Sequence, residues 1–279
     1  MVRDDLMKMH FQVGDTFYRV DLARPREISI PLNFHDQQPS VFGAPLARAI
    51  AFETEQFVGD TRQGGSCNVE EYTLIPHCNG THTECVGHIA IERISITSTL
   101  KQVLIPATLI TVEPEKAFAT SDQYDPEKQK EDRLITRKNL ENQLKNYRPH
   151  FLEALVIRTL PNTISKTSRD YMQHFPPYFS IEAMKLIVQL NVQHLLVDIP
   201  SVDRLLDEGK MTAHHIFWKV PAGSHEVPNN AHSTSTISEM IFVPDEIPDG
   251  NYLLNIQIPD FIADAAPSRI WLFPIEPAK

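Results

Sequence analysis

SIEAMKLIVQLNVQHLLVDIPSVD, residues 180–203, reads as a helix running into a buried strand. Ser180 stands where an N-cap belongs, and Met184, Leu186, Ile187 and Leu190 supply the apolar positions of the helix. QHLLVDIPSVD then carries an apolar run that ends in polar residues, as a strand does where it meets a loop. Upstream, LEALVIRTL (152–160) is a second buried strand, and ITRKNLENQLKNY predicts a helix with Thr136 as N-cap and Leu140 and Leu144 on one face. Between them and the N-terminus, ISITSTLKQVLIPATLITV (94–112) is β-branched and broken by proline, which predicts two strands. FYRVDLARPREISIP (17–31) reads as an extended entry with two short strand-like runs, and NVEEYTLI (68–75) as a strand feeding a loop. Downstream, ISEMIFVP, YLLNIQIPDF and SRIWLFPIEP also read as strands. Strands outnumber helices and no composition shift marks a boundary. The expected class is therefore α/β, β-rich, with residues 1–279 as a single domain.

Two polar segments stand apart from this pattern. SDQYDPEKQKEDR (121–133) predicts a solvated charged loop, and SHEVPNNAHSTST (224–236) a second loop that carries His225 and His232. The 21 prolines against 10 glycines suggest short elements joined by stiff turns.

A chain of 279 residues can bury a core without staples. Its net charge of −10 argues against a nucleic-acid partner, which would favour a basic face. No window approaches the apolar length of a membrane span. MVRDDLMKMHF has acids where a secretory leader would be apolar. Cys67, Cys78 and Cys85 are an odd set that makes no disulfide framework, so a reduced, cytoplasmic setting is expected. Cys67 and Cys85 are expected to be buried small hydrophobes.

The chemistry concentrates in HCNGTHTECVGH, His77 to His88. In an extended chain alternate side chains share a face, so His82 and Glu84 point together. His88 follows Glu84 by four residues, and His77 precedes His82 by five across an Asn-Gly turn. Imidazole and carboxylate are the donors that zinc and manganese take, often with a position left open in catalytic sites. Cys78 is an alternative donor beside His77. The spacing is not that of the helical HExxH motif.

GTHTECVGH, preceded by His, resembles the HxGTHxDxPxH signature of the cyclase family, which includes bacterial kynurenine formamidases and isatin hydrolases. Gly80, Thr81, His82, Glu84 and His88 fall in register, with Glu84 for the usual Asp and Val86 for the Pro. The first His of the signature falls on Cys78, with His77 one residue early. One extra loop residue would make His77 the ligand; otherwise Cys78 takes over. As neighbours in an extended chain they would face opposite ways, and imidazole, the family's ligand, favours His77. DLARPREISIP and YFSIEAMKLIVQLNVQHLLVDIPSVDR are similar to further family blocks. His214 or His215, before IFW, resembles the next ligand segment, and ISEMIFV places Glu239 on the final ligand. Glu239 lies 25 residues beyond His214 where about a dozen are usual, so 224–236 resembles an insertion.

The resemblance implies a swivelling β/β/α fold and hydrolysis of a C–N amide bond in a small molecule, with a metal-bound hydroxide attacking the carbonyl. Kynurenine formamidases bind two zinc ions and isatin hydrolases use manganese, so one or two divalent ions are implied, Zn²⁺ before Mn²⁺. His77 or Cys78, with His82 and Glu84, would hold one. Glu84 would bridge to a second, completed by His214 or His215 and Glu239, and His88 would be the general acid/base. A homodimer or higher homo-oligomer is implied as well. The alternatives on the same residues are a metal-dependent lyase or a non-catalytic metal-binding module. Asp198 and Asp203 read as loop-holding residues, and Phe57, Phe217 and Trp218 as core before pocket lining.

Overall fold

The computed structural model describes residues 7–278, so most of the acidic N-terminal stretch, residues 1–6, lies outside the described residues. The helix and strand read in 180–203 form as expected. Ser180 Oγ accepts from Ala183 N at 3.0 Å and opens α4 (Ile181–Gln189), whose Ala183, Met184 and Ile187 are buried. Three helices link the four parallel strands at the centre of the sheet: β5 (Ile105–Val112), β6 (Ala154–Thr159), β7 (His194–Val197) and β8 (Thr236–Glu239). α3 (Arg137–Leu144) joins β5 to β6, α4 joins β6 to β7, and α5 (Thr212–Trp218) joins β7 to β8. Parallel neighbours need such crossovers because a tight turn cannot return the chain to the starting edge.

The remaining strands add antiparallel pairs on both sides. β4 (His82–Cys85) lies against β8, and β10 (Ala265–Pro267) against β4. β9 (Gly250–Gln257) pairs with β5, and β11 (Arg269–Pro277) with β9. The N-terminal hairpin of β1 (Lys8–Val13) and β2 (Thr16–Asp21) adds to β11, as does the short β3 (Arg26–Glu27). The order along the sheet is β1-β2-β11-β9-β5-β6-β7-β8-β4-β10.

Alternation along the central strands makes two cores. Ile110, Leu155, Ile157, Leu195 and Val197 face the helices with Phe217 and Trp218. Ile105, Leu109, Val156 and Leu196 pack on the other face with Leu254, Ile270 and Leu272 from β9 and β11. The antiparallel part thus supplies the second β layer over the parallel part. The β-rich α/β reading is the fold, and Phe217 and Trp218 are core residues at 0% exposure.

Three local readings change. Residues 94–112 hold one strand, not two: Ile96–Thr99 is a helical turn, α2. Ser95 caps it, accepting from Thr97 N at 3.2 Å, and the Ser98 and Thr99 hydroxyls donate back to Ser95 O, so local polar bonds outweigh β-branching. Pro76–Asn79 is also a helical turn, α1, rather than extended chain. Pro76 suits the first helical position, and Asn79 Oδ1 accepts from Ile75 N at 2.6 Å. The charged loop at 121–133 is not wholly solvated: Tyr124 is buried in it, and Asp122 Oδ2 accepts from Ser180 Oγ and Arg137 N, tying the loop to α4 and α3.

Candidate metal centre

β4 lies between β8 and β10 with all four of its residues buried. In its register His82 stands opposite Glu239 and Glu84 opposite Ile237. Strand alternation sends His82 and Glu84 to one face, while Thr83 turns to the other and bonds Ser238 Oγ at 2.7 Å. Glu84 is fully buried, and three imidazoles surround its carboxylate. His214 Nε2 is 3.0 Å from Oε1; His77 Nδ1 and His88 Nε2 are 3.0 and 3.8 Å from Oε2. Glu239 closes the far wall, its Oε2 3.4 Å from His82 Nε2, while its Oε1 accepts from Val202 N at 2.8 Å.

Each imidazole is oriented from behind. Gly80 O is 3.0 Å from His82 Nδ1, and a carbonyl only accepts, so the proton sits on Nδ1 and Nε2 keeps a lone pair. Asp203 Oδ2 takes His214 Nδ1, and Asp203 also accepts from Tyr124 OH and the Ala213 amide. Asp264 Oδ2 takes His77 Nε2 at 2.9 Å and stands 3.5 Å from His88 Nδ1. A carboxylate or carbonyl behind a histidine, with the other nitrogen pointing into a shared space, is how metal-binding histidines are held.

The donor set fits a divalent cation. His82 Nε2 and Glu84 Oε2 are buried and make no hydrogen bond, although Oε2 approaches His77. Two such atoms on one strand face would each cost of the order of 1–3 kcal/mol if left so. Ligand atoms of His77, His82 and Glu84 lie within 4.8 Å of one another, and so do those of Glu84, His88 and His214, and of His77, His88 and Asp264. Glu84 is common to the first two groups.

Without a cation the charges polarise each other. Burial opposes ionisation of Glu84, but His88, His214 and His77 hold it well below the ordinary carboxylate range. Burial depresses His77, yet its bond to Asp264 and its contact with the Glu84 carboxylate outweigh this and raise it to about 10. Burial also opposes the charge on His214, and Asp203 and Glu84 raise it well above an ordinary histidine.

Other candidates fall away from this cluster. Cys78 is buried among Val41, Tyr171 and Leu205, and burial followed by the charge of Glu239 pushes its thiol up, away from the thiolate a metal takes. His215, one helical position from His214, points Nδ1 at Val220 O at 3.3 Å, and burial lowers it. Its neighbour holds the place because successive side chains on a helix diverge by about 100°. His225 bonds Ile89 O at 2.8 Å and the His232 amide donates to Trp218 O at 2.9 Å; neither joins a ligand group among the described residues. Asp198 binds Lys166 at 2.7 Å and Thr159, pinning the end of β6. Phe57 sits in a short ribbon beside Phe52. Cys67, expected to be buried, is exposed in the turn after Gly64-Gly65. Cys85 is buried as expected.

Asp264 and Tyr124 carry parts of the site that no spacing marks. Asp264 reaches the site from the loop before β10, nearly two hundred positions after His77; Tyr124 lies in a run otherwise rich in charge. The centre meets solvent at His77, His88 and Asp264, whose side chains are 25%, 26% and 39% exposed. Beside them lies a pocket of about 270 Å³ bounded by Gly87, Arg93, Ile262 and Asp264. A larger cleft of about 550 Å³ touches the motif only at Asn79–Thr81 and is lined by none of the ligand candidates.

The family model described as "Putative cyclase" matches residues 20–204. A kynurenine formamidase of Bacillus cereus is 27% identical over 256 residues, 89% of this chain and 97% of that protein. Among solved structures, isatin hydrolase A from Labrenzia aggregata superposes with a TM-score of 0.59 at 13% identity, covering 90% of this chain and 93% of the other. A structure described as a potential metal-dependent hydrolase with cyclase activity gives 0.58 at 14% identity, covering 90% and 98%.

Proposed function

The chain belongs to the cyclase family, and from that membership we propose that it is a metal-dependent hydrolase of C–N amide bonds in small molecules. The observation that carries this reading is the pair of buried, unbonded atoms, His82 Nε2 and Glu84 Oε2, facing one space ringed by histidines. His77, His82 and Glu84 would hold one divalent ion, and Glu84 would be shared with a second, completed by His214 and Glu239. Zn²⁺ suits the imidazole-rich set, with Mn²⁺ the alternative. The relatives named for kynurenine formamidase and isatin hydrolase support a linear or cyclic amide as substrate. A homo-oligomer, a dimer first, in the cytoplasm completes the reading; among the described residues no helix is long and apolar enough to cross a membrane.

When bound, such a cation supplies Lewis acidity, bringing the pKa of a coordinated water from about 16 to about 7 and polarising a carbonyl. The chain's own groups do the rest. Gly80 O and Asp203 keep His82 and His214 in the tautomer that leaves Nε2 free. The hydrogen-bonded Val202 amide holds Glu239 at one oxygen. His88, at the solvent edge and 3.8 Å from Glu84, carries a proton to the leaving nitrogen.

The test is elemental analysis of the purified chain with turnover of N-formyl aromatic amines, cyclic amides and hydroxy-acyl compounds under added Zn²⁺ or Mn²⁺. His82→Ala should lose metal and activity together. His88→Ala should keep its metal and lose about 10²–10⁴-fold in kcat. Full activity in His82→Ala would end the metal reading, and turnover of the hydroxy-acyl compounds alone would move the reaction to the lyase class.

A further inference from the structure

Asp264 touches two histidines with different assignments, His77 and His88, through the same oxygen, at 2.9 and 3.5 Å. The two rings stack with centroids 4.2 Å apart, 30° from parallel. This contact is built into the backbone. Asp264 O accepts from Cys85 N at 3.0 Å, and Ala263 O accepts from Ile96 N at 2.8 Å, so the loop is pinned at the end of the motif strand. Gly87 lets the turn carrying His88 come in: a Cβ there would lie 2.2 Å from Ile94 O and 3.2 Å from Asp264 Cβ. No side chain larger than hydrogen fits that approach.

We propose that Asp264 is a positioning residue that orients both His77 and His88. Its Oδ2 accepts His77 Nε2–H and stands 3.5 Å from His88 Nδ1. The other nitrogens, His77 Nδ1 and His88 Nε2, then face Glu84 Oε2. This gives a physical reason for His77 over Cys78 as donor: the imidazole has a carboxylate behind it and the thiol has an apolar cluster around it. The proposal rests on the metal reading for its affinity arm, but its ring-orientation arm does not need a metal.

The experiment uses the full chain, ¹⁵N-labelled at histidine, with Zn²⁺ alone as the probe. Ring ¹⁵N–¹H correlations read exchange of the ring N–H protons with solvent in the metal-free and zinc forms, and competition with a chromophoric chelator reads zinc affinity. Wild type should show His77 Nε2–H protected from exchange in both forms. Asp264→Ala should lose that protection and bind zinc about 10–100-fold more weakly, the usual cost of losing such a partner. Asp264→Asn keeps an acceptor oxygen, so it should restore the protection and recover part of the affinity. Asp264→Ser, too short to reach either ring, repeats the measurement if the Ala protein does not fold. Wild-type protection in Asp264→Ala or Asp264→Ser would overturn the proposal. So would equal zinc loss in the Ala and Asn proteins with protection unchanged, since that describes general loosening. A wild-type chain that binds no zinc would instead remove the metal reading, while exchange of the metal-free ring proton still decides the role of Asp264.

Discussion

At the scale of single residues, His77 and Cys78 are adjacent in the chain and sit in different worlds. One helical turn sends His77 toward Glu84 and Asp264 and Cys78 into the cluster of Val41, Tyr171 and Leu205. Cys78→Ser should therefore retain metal while losing about 1–3 kcal/mol of stability, the cost of a hydroxyl buried among apolar groups. His77→Ala should do the reverse, losing metal with a smaller change in the metal-free unfolding midpoint, because His77 is a quarter exposed. Metal content by elemental analysis and urea unfolding of the chelated proteins separate the two. Loss of metal from Cys78→Ser alone would return the thiol to the ligand set. The residues H, C, N, G and T of the motif were enough to raise this choice, but a one-residue offset can be absorbed by a bulge or by a helical turn, and only the turn's geometry selects the side chain.

At the scale of elements, α4 depends on one hydroxyl. Ser180 Oγ accepts from Ala183 N and donates to Asp122 Oδ2 at 2.7 Å, joining the helix start to the charged loop. Ser180→Ala should cost about 1–2 kcal/mol, lowering Tm by about 2–4 °C per kcal/mol in a protein of this size. Calorimetry on the metal-free chain checks it; an unchanged Tm would mean that solvent serves the helix end as well as Ser180 does. Such caps were readable in advance because capping is local: Thr136 and Ser180 both open helices where their spacing put them. The Ile96–Thr99 turn was not, because four β-branched or hydroxyl residues suit a strand until Ser95 offers them an alternative partner.

At the scale of the whole molecule, His194 couples folding to acid. It begins β7 with its ring between Thr236 Oγ1 and Gln102 Oε1, each at 2.8 Å. Gln102 Oε1 only accepts, so the ring donates from Nε2 and takes the Thr236 hydroxyl at Nδ1, a set that suits the neutral form. Burial lowers its pKa from 6.5 to about 4. The unfolded chain therefore binds this proton more readily between about pH 6.5 and 4, and native stability falls as pH drops through that window. The full effect, below pH 4, is roughly 3 kcal/mol as an upper figure. His194→Gln should be less stable at pH 7 yet lose less on going to pH 4.5. Urea midpoints at the two pH values, compared between the proteins, decide it; parallel losses would acquit His194.

What the chain itself determined is whatever depends on neighbours in sequence. The helix-then-strand period of 180–203, the caps, and the placing of His82 and Glu84 on one strand face all follow from geometry that repeats every few residues. The concentration of donors in 77–88 also announced itself without a fold. Tertiary structure alone decided which donors meet. It selected His214 over His215 by the phase of α5 against β4, and turned His77 rather than Cys78 toward Glu84. It also brought Asp203 and Asp264 behind the rings. Those choices depend on the register of β4 between β8 and β10 and on loops far apart in the chain, and no local period encodes a distance between such segments.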